Sequence, residues 1–198
     1  NELKGKIFIP IKETSSDRKE ICVSRSFGYP IDSLEELKQA ISKYVLIASA
    51  KLRNNNQLSS AITVFTATNI HSKDFFESEA TERLNIPTAD SRVILKQSLN
   101  LTKKIFKPYI KLIKAGVILH KLQSNKYKQN QLFSNQSIQE TLHIEKLDNL
   151  IDNINTINGS NTLGWGSSII EQDWNPRREK QSYVKTTTIG SIPNVFAN

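Results

Sequence analysis

The chain has 198 residues, of which 37% are hydrophobic, and its formal net charge of +8 gives an isoelectric point near 9.5. This length allows one ordinary domain plus a smaller unit, and the basic charge favours an anionic partner such as nucleic acid. No apolar run is long enough to cross a membrane, and a single cysteine, Cys22, excludes an intramolecular disulfide framework. We expect Cys22 to be buried in a strand, in a protein of a reducing compartment.

The first half of the chain has the pattern of a strand, a helix and a second strand. Ser33-Leu34-Glu35-Glu36 has the form of a capping box, in which the Ser33 hydroxyl and the Glu36 carboxylate bind each other's free backbone N–H groups. Apolar residues at helical spacing follow, and then a β-rich run. The predicted elements are a polar tether over 1–19, a strand over 21–26, a helix over 34–53 and a strand over 61–67.

The next segment predicts a further strand, helix and strand. A polar alternating run over 78–84 indicates an edge strand, a helix begins near Asp90 and ends at Pro108, and residues 112–122 form the last strand. The order β-α-β-β-α-β is typical of the α+β class, in the ferredoxin-like split βαβ arrangement. We therefore expect a domain over 20–123, with two helices on one face of a four-stranded antiparallel sheet. The other face would carry Lys, Arg, Ser and Thr and stay free for a ligand.

The last third of the chain reads as a tether and a small second unit. Residues 124–140 are rich in Gln, Asn, Ser and Lys, as is typical of a flexible linker. Residues 141–198 predict a small C-terminal α/β subdomain, with a helix that stops at Asn158-Gly159. Trp165 and Trp174 favour a small core with a partner surface on its exterior, although they would also suit an interface anchor.

The end of the first strand is the strongest candidate for a nucleic-acid contact. It combines small hydroxyl residues, an arginine and a glycine, which can offer backbone N–H groups and a cation to phosphates without reading bases. Basic residues at the ends of other elements are weaker candidates. The predicted DNA-binding residues are Ser24, Arg25, Ser26, Phe27, Gly28, Lys51, Arg53 and Lys114.

No catalytic or metal-binding pattern accompanies them. The three histidines, His71, His120 and His143, are far apart in the sequence, and no Cys or His cluster has metal-ligand spacing. A phosphate-binding G-x-x-x-x-G-K-[ST] loop and a G-x-S-x-G turn are also absent from the sequence. We expect neither autonomous catalysis nor a cofactor in this chain.

Several segments together resemble the little-finger domain of the Y-family translesion DNA polymerases. They are Ser24–Gly28, the helix ending in Lys51-Leu52-Arg53, the turn Ile86–Asp90 and Lys114–Val117. The rest of the chain is similar to the C-terminal extension of the UmuC-like group of that family, which includes MucB and ImpB. The matching segments there are Leu147–Ile157, Gly164-Trp165-Gly166, Trp174-x-x-Arg177-Arg178, Tyr183-x-x-Thr186-Thr187 and Ile192-Pro193.

The resemblance implies error-prone synthesis opposite damaged template bases in the bacterial SOS response. Primer–template DNA would be the partner of the little finger, and a UmuD′-like dimer and RecA would be partners of the C-terminal unit. Because the chain begins at Asn1 and has no methionine, we expect a fragment whose catalytic palm, with its Mg²⁺, lies upstream. The implied location is the cytoplasm, at the nucleoid.

A second motif lies in the predicted tether. Gln129-Asn130-Gln131-Leu132-Phe133 has the form Gln-x-x-Leu-Phe of the peptide that docks polymerases on the bacterial sliding clamp. In such a peptide the glutamine supplies hydrogen bonds, and the adjacent Leu132 and Phe133 fill an apolar pocket. The predicted clamp-binding residues are Gln129, Leu132 and Phe133.

Two alternatives from other functional classes remain open. A free-standing ferredoxin-like RNA-binding module would stack bases on paired strand aromatics, whose pattern these strands do not carry. It would prefer single-stranded RNA over primer–template DNA. A protein-interaction scaffold would bind no DNA even at low salt.

Overall fold

The computed structural model describes residues 18–72, 74–125, 138–159, 162–169 and 174–175. Its elements are β1 (Ile21–Ile31), α1 (Leu34–Asn54), β2 (Gln57–Ala67), β3 (Glu77–Thr88), α2 (Ser91–Ile105), β4 (Leu112–His120), β5 (Gln123–Ser124), α3 (Ile138–Asn158) and α4 (Gly166–Ile169). The predicted α+β class and the order β-α-β-β-α-β are confirmed. Among the described helices, none has the length and apolar character needed to cross a membrane.

The sheet has the strand order β1-β4-β2-β3, every neighbouring pair is antiparallel, and the short β5 pairs with the start of β2. Each helical crossover, β1-α1-β2 and β3-α2-β4, joins two parallel strands that enclose one antiparallel strand. This is the split βαβ arrangement. The edge strands are therefore β1 and β3, and the predicted edge position of the polar alternating run is confirmed.

One face of the sheet is buried under both helices. Helix α1 lies over β1, β4 and β2, helix α2 lies over β2 and β3, and the two helices pack against each other. The alternation in β2 places Ile62 and Val64 on this face, and both are fully buried. The main contributors from the helices are Leu37, Ile41, Val45, Leu52, Ile94, Leu101 and Ile105.

Helix α1 has the predicted limits to within one residue, whereas α2 ends at Ile105, before the predicted Pro108, and one predicted cap differs. Ser33 is the N-cap of α1, but its side chain makes no capping hydrogen bond, and Glu36 accepts a hydrogen bond from the Tyr29 hydroxyl at 3.0 Å. The predicted capping box is therefore wrong, because Glu36 binds strand β1 instead of the N-cap. Helix α2 does have a side-chain cap, because the Asp90 carboxylate accepts a hydrogen bond from the Arg92 N–H. Gly159 follows α3 with φ +102°, as the predicted glycine stop requires.

We refer to residues 20–123 as the main domain. Neither of its helices, α1 and α2, covers the second face of the sheet, and we call this the open face. Cys22 lies on it, opposite Ile118, and is exposed. The prediction of a buried Cys22 is wrong, because period-2 alternation turns it away from its buried neighbours Ile21 and Val23.

Candidate nucleic-acid interface

The open face is built from cross-strand rows. Ser24 on β1, Gly116 on β4 and Phe65 on β2 are paired in register and share one row. In the next row Ser26 pairs with Lys114. Ser26 and Lys114 are both exposed. Two small hydroxyl side chains and one lysine thus lie side by side on the surface that the helices leave uncovered.

Gly116 leaves no side chain in the middle of the first row. A Cβ atom at this position would lie 2.5 Å from the Ser24 Cβ and 2.5 Å from the Phe65 Cζ, closer than side-chain carbons approach each other. The missing side chain therefore allows the Phe65 ring to lie across β4, and it allows β1 to pair closely with β4. Glycine is required here by close approach.

A chain of hydrogen bonds crosses the open face at its other end. His120 joins Glu20 through Nδ1 (2.9 Å) and Thr63 through Nε2 (2.8 Å), and the Thr63 and Thr81 hydroxyls are 2.7 Å apart. Glu20, Thr63, Thr81 and His120 were not among the predicted site residues. The signal present in the sequence was the polar alternation of β2 and β3, which places Thr63, Thr81 and Arg83 on one face.

Arg25 does not share the face of Ser24 and Ser26. It pairs with Ala115, which is fully buried under the helices, and its charge acts on Tyr44 of α1. Burial raises the pKa of the Tyr44 hydroxyl, and the nearby Arg25 guanidinium partly opposes that rise. Arg25 is nevertheless exposed, because β1 is an edge strand. The predicted grouping of all these residues at one strand end is thus split between two faces.

Phe27 and Gly28 belong to the packing of the C-terminal unit. The Phe27 side chain is buried, and its ring lies edge-on to Trp174 with the centroids 5.8 Å apart. The Gly28 N–H donates to the Trp174 carbonyl at 2.9 Å. The Phe27 ring is therefore covered and the Gly28 N–H already has an acceptor, whereas a DNA contact by the backbone of these two residues stays a prediction.

Arg53 is also withdrawn from the surface. Its guanidinium binds both oxygens of Asp152, at 2.6 and 2.8 Å, and Oδ2 of Asp148 at 3.2 Å. Further bonds run to the Ala89 carbonyl (2.9 Å) and the Ser91 hydroxyl (2.8 Å). Five hydrogen bonds therefore hold its side chain between α1, α2 and α3, and a DNA contact by Arg53 stays a prediction. Lys51, two residues earlier, is exposed.

We call the contact of Arg53 with Asp148 and Asp152 of α3 the α1–α3 junction. Asp148 is the more buried of its two acids: the residue is 3% exposed, and its carboxylate accepts a hydrogen bond from the Ser91 N–H at 3.1 Å. Burial raises the pKa of Asp148, and this effect exceeds the opposing influence of the Arg53 charge and the Ser91 hydrogen bonds. The carboxylate therefore remains costly to ionise even beside its arginine.

The predicted clamp-binding residues Gln129, Leu132 and Phe133 lie outside the described residues. Within the described part of the chain, no group of three or more His, Cys, Asp or Glu side chains could hold a metal ion.

Comparison with known proteins gives two matched regions. Residues 18–132 match the model of the impB/mucB/samB family C-terminal domain, and residues 145–195 match a domain of unknown function. The protein MucB of Salmonella typhimurium is 34% identical over 194 residues, which cover 97% of this chain and 45% of MucB. UmuC of Salmonella typhimurium is 30% identical over 98% of this chain and 46% of UmuC. The chain thus spans less than half the length of these relatives.

Two solved structures match part of the chain. A Dbh DNA polymerase in an insertion ternary complex matches with a TM-score of 0.44 and 15% identity, over 62% of this chain and 33% of that one. DinB from Sulfolobus solfataricus matches with a TM-score of 0.41 and 14% identity, over 51% and 28% of the respective chains. The family match covers more than half of the chain, so this chain belongs to the impB/mucB/samB family through its C-terminal domain, as the resemblance to the UmuC-like group predicted.

Proposed function

We propose that this chain is the DNA-binding and clamp-binding portion of an error-prone translesion DNA polymerase that acts in SOS repair and mutagenesis. The observation that carries the proposal is the family match over residues 18–132, which coincides with the domain that has an open sheet face. The full-length protein would supply the palm, its Mg²⁺ and the nucleotidyl transfer. This chain would hold the primer–template duplex in the bacterial cytoplasm.

The chemistry of the open face fits a phosphate backbone better than a base edge. Ser24 and Ser26 offer hydroxyl groups, Lys114 offers a mobile cation, and Lys51 and Arg25 lie exposed on other surfaces. Contacts to phosphate fix the position of a duplex without carrying sequence information. A grip of this kind lets a damaged base pass, because nothing in it depends on base identity.

The first test is binding of the whole chain to a labelled primer–template duplex across a salt series. If about six phosphates are neutralised, affinity should fall roughly a hundredfold or more between about 50 and 200 mM salt. A flat salt response would contradict the proposed backbone grip. Single-stranded RNA of equal length serves as the competitor: stronger binding to RNA would favour the RNA-binding module, and no binding at low salt would favour the scaffold.

The clamp contact is tested separately. We expect the chain to bind the bacterial sliding clamp, and we expect the double variant Leu132→Ala, Phe133→Ala to lose that binding, because these two side chains would fill the apolar pocket. Asn130→Ala is the matched control, since this position is variable in the motif. Equal binding by the wild type and the double variant would show that the contact lies elsewhere.

The C-terminal unit is the proposed site for a UmuD′-like dimer and for RecA. Residues 145–195 match a domain of unknown function, and α3 exposes Leu147, Leu150 and Ile157. Exposed apolar residues on a docked helix are typical of a protein-binding surface. Co-purification of this chain with each partner, against the triple variant Leu147→Ser, Leu150→Ser, Ile157→Ser, tests this assignment.

A further inference from the structure

Trp174 is one of the most buried side chains of the structure, although it belongs to the C-terminal unit. It is 1% exposed. Its ring lies edge-on to Phe27 of β1 and to Tyr44 of α1, with centroid separations of 5.8 and 6.3 Å and interplanar angles near 80°. Edge-to-face pairs at these separations are favourable arrangements of aromatic rings. The main domain thus provides a pocket for one tryptophan.

Polar groups fix the segment that carries this ring. The Gly28 N–H donates to the Trp174 carbonyl at 2.9 Å, and Lys43 Nζ donates to the Asn175 side-chain oxygen at 2.9 Å. The same Lys43 Nζ lies 5.5 Å from the centroid of the tryptophan ring, within reach of a cation–π interaction. We call Phe27, Gly28, Lys43 and Tyr44 the Trp pocket.

A second anchor holds the C-terminal unit at the far end of α1. Arg53, in the last turn of that helix, binds Asp148 and Asp152 of α3. Helix α4 also packs against α1. The C-terminal unit therefore contacts α1 both in its middle, at the Trp pocket, and at its end.

The Trp pocket adjoins the residues that face the open side of the sheet. The pairing of β1 with β4 shifts register between Ser26 and Ile31, and Gly28 lies within this irregular stretch. Its N–H is held by Trp174, only two residues beyond Ser26. A segment that binds this N–H restrains the end of an edge strand, which otherwise has one neighbour only.

We propose that the Trp pocket is a docking site for the Trp174-Asn175 segment, and that the docked segment positions the end of β1 beside the open face. The domain of unknown function would then be a positioning element of the DNA-binding domain. The positioning of Ser26 for DNA rests on the proposed function, whereas the docking itself does not.

Hydrogen exchange of the whole chain, followed by mass spectrometry, tests the docking. In Trp174→Ala the amides of Phe27, Gly28, Tyr29 and Ile31 should exchange about tenfold faster or more, since the ring packing that holds the residue 174 carbonyl against the Gly28 N–H is lost. Amides of the β2–β3 hairpin should not change. Trp165→Phe is the matched control and should leave residues 27–31 protected. Unchanged exchange at 27–31 in Trp174→Ala would overturn the proposal.

A milder variant distinguishes local loss of docking from general unfolding of the chain. Lys43→Ala removes the bond to Asn175 and the cation above the ring without opening the core, so exchange at 27–31 should rise by a smaller factor. Uniformly faster exchange along the whole chain in Lys43→Ala would overturn a local docking role. If a peptide of residues 170–178 is added to Trp174→Ala, protection of residues 27–31 should return, and a peptide with alanine at position 174 should not restore it. Failure of the tryptophan peptide would likewise count against the pocket.

The link to DNA has its own readout. Trp174→Ala should weaken binding to the primer–template duplex by several-fold, about the effect of losing one or two phosphate contacts. If Trp174→Ala showed faster exchange at residues 27–31 but bound the duplex as tightly as the wild type, the proposed positioning of β1 for DNA would be overturned. If the wild-type chain binds no DNA at all, the proposed function fails, while the exchange experiment still decides whether Trp174 docks.

Discussion

The basic residues of the open face and of the α1–α3 junction differ in their exposure and in their hydrogen bonds. On the open face Lys114 is exposed beside Ser24 and Ser26, whereas at the junction the Arg53 guanidinium makes five hydrogen bonds, including both oxygens of Asp152. An exposed cation keeps its hydration and remains available to a ligand, whereas a buried one is committed to its partners. Net charge alone therefore overstates how many cations can serve DNA.

The largest expected effect falls on the junction. Arg53→Ala should lower the free energy of unfolding by about 3 kcal/mol or more, because it leaves the buried Asp148 and the partly buried Asp152 without their cation. Urea denaturation at pH 7 measures this loss. Lys51→Ala, on the same helix but exposed, is the control and should change stability by less than about 0.5 kcal/mol. Equal losses in the two variants would erase the contrast between a paired and an exposed cation.

The next effect concerns the shape of the open face. Gly116→Ala should cost about 2 kcal/mol, because its methyl group would meet Ser24 and the Phe65 ring at 2.5 Å. Adding Phe65→Leu should recover part of that loss, since the ring is one of the two obstacles. Thermal denaturation of the single and double variants measures their coupling. Gly166→Ala, where a Cβ would meet nothing within 4 Å, should be nearly neutral.

A smaller effect is expected on DNA affinity, and it should differ between basic residues on the two faces of the sheet. Lys114→Ala should reduce DNA affinity several-fold and lower the salt slope by about one unit, because one phosphate contact is lost. Arg25→Ala should reduce affinity less, because Arg25 shares the face of the buried Ala115. Fluorescence anisotropy with a labelled duplex gives both values, and Lys103→Ala on helix α2 is the control for net charge. A larger loss for Arg25 would place the DNA against the edge of β1.

The smallest effect is a pH dependence at the junction. Burial raises the pKa of Asp148 in the folded chain, so the folded state takes up this proton before the unfolded state does as pH falls. The resulting contribution to stability is complete below the unfolded pKa and is lost as pH rises through the folded pKa. The wild type should therefore gain stability relative to Asp148→Asn as the pH is lowered from about 7 to about 4. Urea titrations of both proteins at each pH test this, and an opposite trend would contradict it.

Local patterns in the sequence were sufficient for the elements and much of the core. Ile62 and Val64 lie on the buried face of the strand predicted over 61–67, and the polar alternation of β3 indicated an edge strand before any pairing was known. The strand order, with β4 and β2 in the middle, does not follow from the element order. It depends on which long-range pairings bury the most apolar surface.

The candidate site was harder to predict because its residues depend on orientation and on distant partners. Ser24, Arg25 and Ser26 are adjacent, but a period of two assigns Arg25 to the opposite face. That signal was available in the buried Val23 and Phe27 on either side. No local pattern could reveal the fate of Arg53, since Asp148 lies 95 residues away in the sequence.

The acidic side chains of β3 have a consequence for solubility. This strand is 12 residues long, and no other strand of the described chain pairs with its outer edge. A long free edge invites strand addition by another molecule, which leads to aggregation. Glu77 and Glu79 are exposed and place negative charge on that strand, so two copies approaching edge to edge would repel each other. Glu82 lies on the helix side instead, 3.9 Å from Lys104 of α2. Replacing Glu77 and Glu79 with uncharged residues would therefore be expected to favour self-association.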